Sequence, residues 1–314
     1  MSERRGVQAA PLKALPSPLT AAMTCNDAFK ALVRASLDQY GANVPGMLET
    51  DDPEYLHQMR VALRRMRSVF NTFDALLPAP ALAHPRAETR RIARALGPAR
   101  DWDVFALETL PAVIARHRRR AGAVAIARAA ARLRRAANRA ARATVNSARG
   151  RNLPSYLTEW LGAEEWRRGM PPAQRVRLVH PVTGYARSVL AAGHKRVLKR
   201  GRHFPDLGAP QLHRLRIAAK GLRYAAEFFA PLYDAQRASR YRAALVGVQD
   251  ALGGYNDAIT VMRLATAAAR GLKGTAAGEA RGIMLGWSAA MRDACTQQLK
   301  RSWKAFRTAR PFWE

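Results

Sequence analysis

The stretch LHQMRVALRRMRSVFNTF, Leu56 to Phe73, is written a second time as LHRLRIAAKGLRYAAEFF, Leu212 to Phe229. The copies lie 156 residues apart, and the register holds well beyond them. His57 meets His213, Arg60 meets Arg216, Arg64 meets Lys220 and Arg67 meets Arg223. Further on, Leu96-Gly97 meets Leu252-Gly253 and Asp101 meets Asp257 without a gap. A register kept over so long a span is the mark of an internal duplication.

At about 100° per residue, His57, Arg60, Arg64 and Arg67 fall within an arc of roughly 80°. Beside them Leu56, Met59, Leu63, Met66, Phe70 and Phe73 form an apolar stripe. In the second copy Leu212, Leu215, Ala219, Leu222, Ala226 and Phe229 repeat the stripe beside His213, Arg216, Lys220 and Arg223. A helix of this kind buries one stripe and presents a basic ridge next to it. A charge run on its own reads as a solvated face; the same spacing written twice points to an anion.

With a later L-G-x-x-x-D, the pattern H-x-x-R-x-x-x-R/K-x-x-R resembles the CHAD domain, the conserved-histidine α-helical domain. The likeness covers about residues 22 to 314 and takes in the closing Trp303-Lys304-Ala305-Phe306 and Pro311-Phe312-Trp313. It implies an all-α fold of two pseudo-twofold-related four-helix halves around a basic central channel, and it implies binding of inorganic polyphosphate. The expected organisation is a disordered tail over 1–19 and a CHAD-like domain over 20–314. Half one would cover about 20–165 and half two about 178–314.

Composition agrees with a polyanionic partner. The 314 residues carry a formal charge of +30, and only eight of the 53 basic residues are lysines. Such a surplus attracts polyphosphate, nucleic acid or an anionic membrane. Arginine suits phosphate because its planar fork donates two bonds at once and stays charged. Cys25 and Cys295 stand too far apart in sequence for a disulfide framework or a metal motif, so a reducing cytoplasm is expected. No run of 18 apolar residues occurs, so no membrane-spanning helix is expected.

Helical periodicity runs through the chain. It predicts a first helix over Asn26–Gln39, then the motif helix, opened by Asp52-Pro53 and closed by Pro78 and Pro80. A helix over Arg86–Leu96 should stop at Gly97-Pro98. Asp101 should then cap a segment running to His117, and Asp257 should cap its copy from Ala258 to Arg270. A fourth helix, about Ala123–Arg149, carries Arg128, Arg132, Arg135, Arg139 and Arg142 at steps of 4, 3, 4 and 3. A connector follows over Gly150–Pro181, with a short helix at Ser155–Leu161, and Thr183–Arg200 opens the second half. A glycine-rich surface loop is expected at 271–280.

The sequence contains no phosphate-binding P-loop, Rossmann fingerprint or H-E-x-x-H. With 23 acids thinly spread, a two-metal phosphotransfer site is hard to assemble. Asp101 and Asp103 could pair on a metal, but Ile259 replaces the second acid in the copy, so no metal is assigned. The expectation is a binding protein with no catalytic residue and no cofactor. The polyphosphate contacts would come from His57, Arg60, Arg64, Arg67, His213, Arg216, Lys220 and Arg223, extended by Lys195, Lys199, Arg135 and Arg139. The histidines would act as hydrogen-bond donors to phosphate, near helix starts where backbone N–H groups favour anions. Nucleic acid is the alternative partner, disfavoured because few aromatic residues interleave the ridges and bases would lack stacking platforms. Storage granules in the cytoplasm are the expected setting.

Overall fold

A computed structural model describes residues 10–117 and 120–314. Among them the regular structure is helical, and the one β-type pairing is an isolated bridge between Thr24 and Pro181. The helices are α1 (Cys25–Glu49), α2 (Pro53–Thr72), α3 (Ala79–Val104), α4 (Leu110–Arg116), α5 (Ala121–Asn146), α6 (Ala148–Gly162), α7 (Pro172–Val179), α8 (Val182–Arg200), α9 (Ala209–Phe229), α10 (Ala235–Ala269) and α11 (Gly274–Arg307). No helix of the described residues is long and apolar enough to cross a membrane.

Two compact units emerge from the packing. One comprises the residues up to Arg100 together with Asn138–Val182, and the other comprises Asp101–Ala137 and Thr183–Glu314. Sequence repeat and compact unit are therefore different divisions of the chain, and the unit boundaries fall inside α3 and α5.

In the first unit the motif helix starts where the sequence places it. Asp52 is the N-cap, its carboxylate accepting from the Glu54 N–H at 2.8 Å, and Pro53 occupies the first turn. The apolar stripe from Leu56 to Phe73 is almost fully buried, each member at 2 % exposure or less. It packs into an aromatic core in which Phe29 lies 5.5 Å from Phe73 and 5.0 Å from Trp166, and Trp166 lies 4.9 Å from Trp160, centroid to centroid. The Trp166 indole donates to Asn26 Oδ1 at 3.1 Å, so its polar edge is not lost on burial. Residues 1–9 of the expected tail lie outside the described residues. From residue 10 on the segment is irregular but attached: Leu12 N–H donates to Asn43 Oδ1, Asn43 Nδ2 donates back to the Leu12 carbonyl, and Leu19 is buried.

Several expected breaks are helical. α1 runs ten residues past Gln39 and carries Pro45 inside it. The motif helix ends at Thr72, short of the prolines. α3 passes through Gly97-Pro98, so Asp101 lies within a helix and is no N-cap. Asp257 likewise lies inside α10, which runs unbroken through Gly253-Gly254. Flanking packing keeps these helices whole: Leu96, Ala99, Leu252 and Ala258 are all buried. After α3 one turn widens to a π-helix over Phe105–Thr109 before α4. The connector holds a full helix, α6, and the loop expected at 271–280 shrinks because α11 begins at Gly274.

The second unit has two cores. One gathers Trp102, Phe105, Leu110, Val113, Ile126, Val261, Leu264 and Met284. The other is aromatic: Tyr241 lies 4.9 Å from Trp313, 5.5 Å from Phe312 and 5.8 Å from Phe306. His194 Nδ1 meets the Tyr241 hydroxyl at 2.9 Å there, and burial holds its imidazole below its ordinary pKa. The motif copy α9 buries Leu215, Ala219, Leu222, Ala226 and Phe229 as its stripe predicts.

Candidate basic ridges on α2 and α9

On α2 the ridge rises beside the buried stripe. His57, Arg60 and Arg64 are half-buried and Arg67 is exposed. Arg60 is fastened to the neighbouring helix: Nη1 donates to the Ala93 carbonyl of α3 at 3.0 Å.

Arg67 behaves differently. The protein packed around Arg67 lowers its pKa although the residue is open to solvent, and the positive charges of Arg90 and Arg94 on α3 lower it further. Three arginines from two helices thus act on one another's charge, and no ion pair engages them among the described residues. Elsewhere on α3 the chain compensates its arginines. The buried Glu88 takes Arg91 at 3.1 Å and also Arg149, and these partners hold its carboxyl below the usual range. Arg90 and Arg94 were not among the candidates read from sequence. Their signal was an exposed i,i+4 pair on a helix that offered no motif.

On α9, His213 is exposed and Arg216, Lys220 and Arg223 are half-buried. The Arg223 guanidinium lies 5.0 Å over the Tyr224 ring, a cation–π contact. Acids accompany this ridge. The protein packed around Asp257 raises its carboxyl above the ordinary range although the residue is open to solvent. Arg216 and Lys220 oppose that rise and Asp101 adds to it. Asp101 itself accepts from Arg263 Nη2 at 2.8 Å.

The helix starts differ as well. The first turn of α2 already holds the Asp52 carboxylate and Glu54, whereas α9 begins at Gly208 with the neutral Gln211 amide as its cap. Of the two motif helices, α9 is the one whose first turn carries no acid. Lys195 and Lys199 are exposed on α8, and Arg135 and Arg139 are exposed on α5. Asp103, weighed as half of a metal pair, is fully buried and accepts from Arg134 Nε at 2.6 Å. Among the described residues no group of three His, Cys, Asp or Glu could hold a metal.

The family model described as "CHAD domain" matches residues 31–266, three quarters of the chain. This chain belongs to the CHAD family. The crystal structure of the CHAD domain from the plant Ricinus communis is 30% identical to it. That match covers 96% of this chain and 98% of that one, with a TM-score of 0.80. PptA from Streptomyces chartreusis shares the fold at 17% identity, over 90% of this chain and 100% of that one, with a TM-score of 0.69. No curated protein matches. Both motif helices, α2 and α9, lie within the matched residues.

Proposed function

We propose that this CHAD domain binds inorganic polyphosphate through the basic ridges of α2 and α9. The observation that carries the proposal is that the positive charges of Arg90 and Arg94 act on Arg67, while none of the three makes an ion pair among the described residues. Like charges that act on one another raise the energy of the empty protein, and a polyanion laid along them relieves it. Guanidiniums at fixed spacing on rigid helices suit a chain of equivalent phosphates, and the family resemblance names the same ligand. Binding rather than turnover is what these groups supply. Arginine stays protonated at any working pH and serves poorly as an acid, base or nucleophile.

The test is calorimetric titration with polyphosphate of defined length. The triple variant Arg67→Ala/Arg90→Ala/Arg94→Ala is expected to lose roughly tenfold per charge-assisted contact removed. Its affinity should also depend less steeply on salt, as counterion release from a linear polyanion requires. An affinity and salt slope equal to wild type would overturn the proposal.

A further inference from the structure

Helix α5 engages some of its arginines within the protein and leaves others out. Arg134 holds the buried Asp103, Arg142 reaches Asp51 at 2.7 Å, and just before the helix Arg120 faces Glu279 at 3.4 Å. Arg128, Arg132 and Arg135 do none of this. All three are exposed and make no ion pair among the described residues. Steps of four and three residues put them within an arc of about 60°. The opposite face, with Ile126, Ala129 and Ala130, is buried in the core of the second unit. Arg139 continues the same register on the same helix and is also exposed.

We infer that this row is a docking surface for the sugar–phosphate backbone of duplex nucleic acid. The argument is geometric. Arg128 to Arg135 spans about 10 Å of helix at 1.5 Å per residue, and one strand of a duplex offers a phosphate about every 3.4 Å of axis, so three arginines meet about three phosphates. The row is straight and convex, which suits a stiff rod. Single strands are a poorer fit, because α5 contains no aromatic residue on which a base could stack. An anionic membrane is a poorer fit too, since Val124 is the one large apolar residue exposed on this face and nothing else there could enter lipid. Backbone contacts of this kind position a protein on the duplex without reading sequence.

The experiment measures binding of a short mixed-sequence DNA duplex by fluorescence anisotropy across a salt series. Wild type is compared with Arg128→Gln/Arg132→Gln/Arg135→Gln. A second triple, Arg187→Gln/Arg240→Gln/Arg292→Gln, removes the same charge from scattered exposed positions, and circular dichroism verifies helicity in all three. The row variant should lose on the order of a hundredfold at physiological salt, with a log–log slope shallower by nearly three. The scattered variant should lose far less, and Arg67→Ala/Arg90→Ala/Arg94→Ala should bind duplex as wild type does. Equal losses in the row and scattered variants would reduce the effect to net charge and overturn the inference. So would duplex binding that survives in the row variant or vanishes in the ridge variant. Loss confined to phosphatidylserine vesicles would assign the row to a membrane instead. None of these readings uses polyphosphate, so the ridge proposal and this one fail separately.

Discussion

Arg60 Nη1 donates to the Ala93 carbonyl at 3.0 Å, so one arginine of the first basic ridge also fastens α2 to α3. Removing Arg60 leaves a partly buried carbonyl without that donor. Arg60→Ala is expected to cost about 1 kcal/mol, read as a lower urea midpoint at unchanged slope. Arg67→Ala should cost nothing measurable by the same test, since its loss relieves like-charge repulsion.

The ligand should reveal that repulsion from the other side. Polyphosphate in excess is expected to raise the melting temperature of wild type, because a ligand that binds only the folded state stabilises it by mass action. In Arg67→Ala/Arg90→Ala/Arg94→Ala the rise should be clearly smaller at the same ligand concentration. A thermal-shift series over polyphosphate concentration makes the comparison, and equal shifts would speak against these three as contacts.

Asp103 and Arg134 form a partly buried ion pair in the second unit. The Asp103 side chain is fully buried and its partner is a quarter exposed. Arg134→Ala would strand a carboxylate without its counter-charge, at an expected cost of about 3–5 kcal/mol. Replacing both together with apolar residues should recover much of that loss. Denaturant unfolding of the single and double variants measures the coupling.

Glu164 gives the first unit an acid limit. It sits at φ 48°, a left-handed conformation unusual for glutamate, and accepts from Lys30 at 2.6 Å, Arg167 at 2.8 Å and Asn26 at 3.0 Å. Burial alone would raise its carboxyl, but these bonds outweigh burial and hold it down to about 2, against an ordinary 4.5. A depressed carboxylate stabilises the fold above its unfolded pKa and loses that contribution as pH falls through the folded one. Stability on the order of 3 kcal/mol should therefore drain away between about pH 4.5 and pH 2. Glu164→Gln should be less stable at neutral pH and flatter over that window, as followed by unfolding at stepped pH.

Much of this was legible in the residues. Asp52-Pro53 marked the start of α2 because cap and first-turn proline are local chemistry, and the apolar stripes were buried along their 3.6-residue period except at Leu212, which is half-buried in the first turn of α9. The breaks were harder to read. Gly97-Pro98 and Gly253-Gly254 are poor helix formers in isolation, yet Leu96, Ala99, Leu252 and Ala258 bury enough apolar surface to carry the helix through. The expected caps Asp101 and Asp257 failed with those breaks. Arg90 and Arg94 stayed hidden for another reason: they matter through proximity to Arg67, and proximity between two helices has no spacing in sequence.

The way the chain is partitioned also bears on its synthesis. The first compact unit needs Asn138–Val182, so it cannot close before Val182 has left the ribosome. Asp101–Ala137 emerge earlier but belong with Thr183–Glu314. Trp102, Phe105 and Ile126 must therefore wait for Val261, Leu264 and Met284 to appear before their core can form. A nascent chain stalled between the two stages would display that unpaired apolar face, and there a chaperone would find its hold.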